Sequence, residues 1–269
     1  MSAARTGATG RIDDIGYGRQ FDGWYDRLLP SRSAALRTAE MLAGLHPDRT
    51  AGTLEFGVGT GRIALPLAGL VGRVTGVDSS PEMLAALRER ARAEGAAGTA
   101  VTVVHGDMRT YAAPENRRYG LVYAVCATLN LVPDPDERQE VFHRAAALLI
   151  PGGRLVVECH NRPAVVALHE GRTRTSYFLP YPEPGTGVQT YSTLSPDHNL
   201  WHCSHIWHVG DGTTRVGTET SRLLTPEETD AHAKASGLRP LPQGPPYGDW
   251  AGTPYTTASP TFISVYESP

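Results

Sequence analysis

Lysine is nearly absent from this chain: of its 25 basic residues only Lys234 is lysine, and the rest are arginine. Acidic residues number 28, so the formal charge is -3. A nucleic-acid partner normally leaves a basic footprint, and none is visible. Cysteine is scarce as well, at 3 residues (Cys126, Cys159 and Cys203), with no C-x-x-C pair. That pattern speaks against a disulfide framework or a cysteine-built metal site and suits reduced thiols in the cytoplasm. No apolar run approaches the roughly 18 residues of a membrane span. The opening stretch, MSAARTGATGRIDD, has no apolar segment of the kind that marks a secretory signal.

What is present is an ordinary globular composition over 269 residues, 40% hydrophobic and 20% charged. It suits one α/β domain with insertions. Residues 1–12 are small and polar and read as loosely held. Residues 13–30 carry Tyr17, Phe21, Trp24 and Tyr25 at spacings that suit one helical face or two short turns. Punctuated by glycine, this segment reads as a mobile aromatic lid. Ser31–His46 reads as a helix, ended by Pro47 and Asp48.

Strand–helix alternation follows. Short β-branched runs stand at Thr53–Phe56, Arg73–Val77, Ala100–Val104, Leu121–Val125 and Arg154–Glu158. Helices are expected at Ile63–Leu70, Pro81–Ala93 (capped by Ser80, with Met83, Leu84, Leu87 and Ala91 as its apolar stripe) and Asp136–Leu149, the last stopped by Pro151-Gly152-Gly153. This order implies a doubly wound, mostly parallel sheet with right-handed crossovers. From about Arg172 the texture changes. GVQTYSTL, NLWHCSHIWHV and TTRVGTETSRLL read as three strands of an antiparallel insertion after the fifth parallel strand. Thr225-Pro-Glu-Glu opens a helix closed by Ser236-Gly237, and Leu238–Leu241 and Thr261–Tyr266 supply two last strands. The expected organisation is a lid over residues 1–50, a Rossmann-like core over 51–170, a β insertion roofing the substrate over 171–224, and completion of the core over 225–269.

The chemistry concentrates in Leu54-Glu55-Phe56-Gly57-Val58-Gly59-Thr60-Gly61-Arg62, at a strand-to-helix turn. Glycines there let the backbone approach a ligand, and the helix start offers free N–H groups. The spacing is G-x-G-x-G, with Arg62 where a dinucleotide fingerprint needs its third glycine. A nucleoside that is uncharged or bears a carboxylate fits this turn better than a pyrophosphate. Asp78, at the tip of the second strand, can accept both hydroxyls of a ribose, although it can also serve simply to cap the next helix. His105-Gly106-Asp107-Met108 ends the third strand, with an acceptor for an adenine amine and an apolar wall for its ring.

Together these residues resemble the class I S-adenosylmethionine-dependent methyltransferases, over about residues 50–165. The glycine motif is Glu55–Gly61, the ribose acid Asp78 and the adenine motif Gly106-Asp107-Met108, and Pro151-Gly152-Gly153 precedes the fifth strand. The rest is similar to bacterial small-molecule methyltransferases of natural-product pathways. That narrower likeness rests on the aromatic N-terminal segment, on His205-Ile206-Trp207 and Asp211-Gly212 in the insertion, and on Tyr247-Gly248-Asp249-Trp250. In Cys126-Ala127-Thr128-Leu129-Asn130 there is no aromatic residue, where relatives often place one.

The resemblance implies S-adenosylmethionine held by Tyr17, Tyr25, Glu55, Gly57, Gly59, Gly61, Asp78, Ser79, Met83, Asp107, Met108 and Cys126. It implies methyl transfer to a nitrogen or oxygen of a small acceptor, in a monomer or homodimer with no nucleic-acid or membrane partner. An amine needs only its lone pair, whereas a hydroxyl calls for a base. Candidate catalytic groups are His205, on the Trp201–Trp207 face of the insertion, His160 at the fifth strand tip, and Tyr17. Two other readings keep the same motifs: non-methylating chemistry with the cofactor as a structural element, and a non-catalytic nucleoside-binding module. His198, His202 and His208 share the opposite strand face, and His202 and His208 lie roughly 20 Å apart along it, too far to hold one metal. No metal is expected. Gly244-Pro245-Pro246-Tyr247 looks like a motif of nucleic-acid amino-methylating enzymes but stands in the wrong place, and reads as a proline turn.

Overall fold

The computed structural model describes residues 12 and 14–269, apart from residues 22, 29–31, 243 and 245. Residues 1–11, Ser31 and Pro245, on which parts of the loose-terminus, helix-start and proline-turn expectations fall, lie outside the described residues.

The short β-branched runs become strands because both their faces can be covered. In chain order the elements are α1 (Tyr17–Phe21), α2 (Tyr25–Leu28), α3 (Arg32–Leu45), β1 (Thr53–Phe56), α4 (Ala64–Val71), β2 (Val74–Asp78), α5 (Pro81–Ala93), α6 (Ala96–Thr99), β3 (Val101–His105), β4 (Tyr119–Ala124), α7 (Pro135–Leu148), β5 (Leu149–His160), α8 (Arg162–Leu168), β6 (Arg174–Pro180), β7 (Thr186–Ser195), β8 (Leu200–Val209), β9 (Thr214–Arg222), α9 (Pro226–Ala235), β10 (Arg239–Pro240) and β11 (Thr261–Glu267). The main sheet has 7 strands in the order β10-β11-β5-β4-β1-β2-β3. Five are parallel, while β11 runs antiparallel to β5 and β10 antiparallel to β11. β1 and β4 are buried along their whole length. Leu121 and Tyr123 face α3 and α4, whereas Val122 and Ala124 face α7.

The local signals work as their chemistry requires. Ser80 accepts from the Met83 amide and Asp134 from those of Asp136 and Glu137, with proline in the first turn of each helix. Thr225 and Glu228 close a capping box on α9. Three elements escape the sequence reading, one of them the single-turn α6 after α5. β6 is the edge of the second sheet and is exposed on both faces, so RTSYFLP shows no inward/outward alternation. The short α8 joins β5 to that edge strand. β5 itself is longer than expected, because Pro151-Gly152-Gly153 forms an irregular start within the strand; the pairing register with β4 shifts there.

The second sheet, β6-β7-β8-β9, is antiparallel throughout. It joins the core through buried amides. Asn130, fully buried after β4, donates to the Arg222 carbonyl (2.7 Å) and accepts from the His160 amide (3.1 Å). Asn130→Ala would leave both backbone groups unpaired, lowering the free energy of unfolding by about 2–4 kcal/mol in urea titrations.

Candidate functional site

β1 lies between β2 and β4, so the chain's strand order reverses there and opens a crevice at the carboxyl ends of the strands. The glycine turn enters that crevice. Gly57, Gly59 and Gly61 all have positive φ (71°, 52° and 77°), the region where a side chain is strained. A Cβ on Gly57 would strike Thr128 at 2.5 Å. Asp78 holds the turn in place, one oxygen accepting from the Gly59 amide (2.8 Å) and the other from the Ser80 amide (2.9 Å). Burial raises its pKa against those two hydrogen bonds, and Asp14 adds to the rise.

A cavity of about 320 Å³ runs from this turn across the tips of β2, β3 and β4. Val77, Met83 and Met108 supply apolar wall. Asp107 is already engaged: Arg109 donates to both its oxygens at 2.5–3.0 Å and reaches Glu137 at 2.7 Å. At the tip of β4 the backbone turns through two residues of positive φ, Cys126 (55°) and Ala127 (59°), a costly geometry of the kind that gathers at functional sites. The Cys126 amide donates to Glu158 (2.7 Å), whose other oxygen accepts from the Trp250 indole (2.9 Å).

Arg62 lines the same cavity and donates to Cys126 Sγ (2.6 Å), with the Tyr25 hydroxyl also in hydrogen-bonding range. Both partners are neutral, since burial pushes the Cys126 thiol up to about 12 and raises Tyr25 further. The Arg62 Nε is buried with no partner among the described residues. Beneath the cavity, burial lifts the Glu55 carboxyl to about 8 despite the Tyr123 hydroxyl donating to it at 2.7 Å.

Residues 53–153 match the model of a methyltransferase domain. The CcbJ methyltransferase of Streptomyces caelestis superposes with a TM-score of 0.83 at 30% identity, over 95% of this chain and 99% of that one. The protein is an S-adenosylmethionine-dependent methyltransferase by family. A curated relative from Streptomyces fradiae, dTDP-3-amino-3,6-dideoxy-alpha-D-glucopyranose N,N-dimethyltransferase, is 31% identical over 125 residues, 45% of this chain and 46% of that protein. The match therefore spans about half that relative's length. The sugar N-methyltransferase KedS8 of a Streptoalloteichus species shares the fold, with a TM-score of 0.67 and 19% identity over 98% of both chains.

The methyltransferase's cavity suits the family's cofactor on its own evidence. The unpartnered Arg62 Nε asks for an anion, as the carboxylate of an amino-acid tail would provide. Nothing lies within 4 Å of where a Gly59 side chain would stand, so the turn faces open space.

Of the residues named from the sequence, Tyr17, Tyr25, Glu55, Gly57, Gly59, Asp78, Ser79, Met83, Asp107, Met108 and Cys126 line this one cavity. Gly61 does not; a Cβ there would run into Leu87 at 2.2 Å, so it serves the packing of the turn on α5. His160 and His205 also stand outside the cavity's lining. His160 packs edge-on against Trp201 (5.1 Å), and burial lowers its proton affinity while Glu219 opposes the shift. His205 is buried against Phe21 and Trp207, with Thr190 and Glu219 on its two ring nitrogens. The sequence reading used Arg62 only as the residue in the third-glycine slot and gave it no binding role, although a lone cation in a glycine turn was the signal for one. It passed over Glu219, which bore no local signal. Glu219, Cys203 and His205 bring ligand atoms within 4.8 Å of one another, a grouping that separate strands hid.

Two outcomes follow. Removing the Asp78 carboxylate in Asp78→Ala should weaken S-adenosylhomocysteine binding by about 1.5–3 kcal/mol in calorimetry. Glu55 keeps its proton when folded, between its ordinary 4.5 and about 8, while the unfolded chain has lost it, so stability falls as pH rises through that window. In Glu55→Gln this contribution disappears, and denaturation midpoints taken from about pH 5 to about pH 8 should fall less steeply than in the wild type.

Proposed function

We propose that the protein transfers a methyl group from S-adenosylmethionine to an amine nitrogen of a small-molecule acceptor, a natural-product intermediate. The observation that carries this reading is the likeness to the amino-sugar N,N-dimethyltransferase together with the near full-length likeness to CcbJ. Non-methylating chemistry finds no support in either relative's name. The reading also takes the protein to act on a dissolved small molecule; among the described residues no helix is long and apolar enough to cross a membrane.

Bound in the cavity, the cofactor supplies a methyl group already activated by a positively charged sulfur. The residues' work is to hold, orient and exclude water. Asp78 would accept the ribose hydroxyls, Arg62 would meet the carboxylate, and Met83, Val77 and Met108 would flank the adenine. Asp107 would take part through whatever acceptor capacity Arg109 leaves it. Tyr17 and Tyr25 wall the cavity from α1 and α2, and Tyr17 stacks on Phe21 at 4.1 Å. Closure by this segment would exclude water from the reacting atoms, and alignment of acceptor and methyl supplies on the order of 7–11 kcal/mol in reactions of this type. An amine acceptor needs no base inside the cavity lining, which agrees with His160 and His205 standing outside it.

The test is transfer of label from methyl-labelled cofactor. Amine-bearing sugar nucleotides, aminoglycosides and amino-acid amides are each offered beside the counterpart with a hydroxyl in place of the amine. Label should appear on nitrogen in at least one amine and in none of the hydroxyl counterparts. Label on the hydroxyl forms alone would replace this reading with O-methylation, and no transfer to any compound would overturn it.

A further inference from the structure

The inner face of the antiparallel sheet is apolar at both ends and polar in the middle. At one end Val188 and Trp207 pack with Phe21, Trp24 and Met83; at the other Leu194 and Trp201 pack with Val165. Between them the register sets Thr190 opposite His205, Ser192 opposite Cys203, and Cys203 opposite Glu219. Residues directly opposite share a face, so this is one continuous band.

The side chains of Ser192, Cys203, Thr190 and His205 are matched within the protein. Ser192 receives the Trp201 indole and meets His169 at 2.8 Å, and the Cys203 thiol hydrogen-bonds to Ser192. Thr190 and His205 Nδ1 are 2.9 Å apart, and His205 Nε2 lies 3.3 Å from Glu219 Oε1. An ionised carboxylate can only accept, so a neutral His205 donates from Nε2 and its Nδ1 accepts from the Thr190 hydroxyl. Glu219 ends the relay. Among the described residues no donor reaches its second oxygen, and no arginine or lysine stands in ion-pair range. Its side chain keeps 17% exposure, so the carboxylate opens onto reachable space.

That space adjoins the cofactor cavity. Thr218, the neighbour of Glu219, donates from both its amide and its hydroxyl to Gln20 of α1 (2.9 Å each). The same helix turn presents Tyr17 to the cavity. Burial first, and then the field of Glu219, raises the pKa of Tyr17. At Tyr177, where burial dominates and the Thr190 hydrogen bond opposes it, Glu219 adds a smaller rise after Cys203. At His160 it opposes the fall that burial causes, so Glu219 lies near all three rings.

Resting on the amine-methylation reading, we infer that Glu219 is the anchor of the acceptor's ammonium group, and that His205 is a positioning residue that aims its carboxylate. A lone carboxylate in a half-buried polar band favours a cation over a neutral hydroxyl through a charge-assisted hydrogen bond. The selectivity is thus for amines that are protonated in solution; one N–H proton of the anchored ammonium passes to the partly exposed Glu219 carboxylate, and on to water, before the freed lone pair can attack.

The experiment uses the full chain and whichever amine of the panel above the wild type methylates, with its hydroxyl counterpart as competing inhibitor. Glu219→Gln should raise KM for the amine roughly 10- to 100-fold, the scale of one charged hydrogen bond, while S-adenosylhomocysteine affinity in calorimetry and inhibition by the hydroxyl counterpart stay unchanged. Glu219→Asp should recover part of the loss. His205→Ala should raise KM more than it lowers kcat, and His205→Gln, which retains an N–H donor, should restore most of it. If Glu219→Gln loses cofactor affinity through misfolding, Glu219→Asp is read in its place. An unchanged KM, or equal weakening of amine and hydroxyl compounds, overturns the anchor and leaves methyl transfer standing. Stoichiometric zinc in the wild type, lost in Glu219→Gln and in Cys203→Ser, would make the cluster a metal site and overturn it as well. A wild type inactive toward every amine sinks both readings.

Discussion

Two backbone hydrogen bonds to one carboxylate shape the whole cavity side of this molecule. Asp78 stands at the end of β2 and grips the Gly59 amide of the neighbouring turn and the Ser80 amide of its own. The first bond holds the glycine turn open over the crevice; the second starts α5, whose Met83 becomes cavity wall. The first bond could not form if β1 and β2 were not adjacent and parallel, with Phe56 opposite Val77, whereas the second is local to the turn after β2. Burial disfavours the charge on Asp78, and the two amides offset that penalty.

The electrostatics around the cavity follow a single pattern. Carboxyl groups beneath and beside it, Glu55, Asp78 and Glu158, are all shifted toward their neutral forms by burial. The one guanidinium reaching in from the glycine turn, Arg62, finds a thiol and a phenol instead of an anion. Such a chamber is under-compensated at both signs, which suits a zwitterionic ligand that brings an acid and a cation together.

The second sheet shows how a shared fold is adapted. KedS8 matches the fold at 19% identity, and CcbJ at 30% with closer superposition. The parallel core supplies the common crevice; what lies over it is β6–β9 and the two short aromatic helices. Those helices reach the antiparallel sheet through Phe21, which meets both His205 and Trp207 edge-on at 5.6 and 5.3 Å. The aromatic segment therefore lines the cavity on its Tyr17 side and packs on the antiparallel sheet on its Phe21 side.

Most of the core was legible in the amino-acid sequence, because local chemistry decides it. A β-branched run, a glycine turn, a serine before proline and a Thr-Pro-Glu-Glu start each specify their own backbone, and β1, α5 and α9 lie where those signals stand. The strand tips bearing Glu55, Asp78, Asp107 and Cys126 were legible for the same reason, since parallel strands joined by helices must deliver their carboxyl ends to one edge. What the sequence left open depends on pairing between distant segments. β6 is a strand only because β7 offers it a partner, and its exposed residues carry no pattern of their own. Gly61 shares a motif with Gly57 and Gly59, yet the packing of Leu87 decides that it faces α5 and not the cavity. His205 could be read as a free base until the fold set Thr190 and Glu219 against its two nitrogens. Glu219 itself became a candidate only when antiparallel register laid β9 beside β8, because an acid on an exposed-looking strand is silent until its neighbours are known.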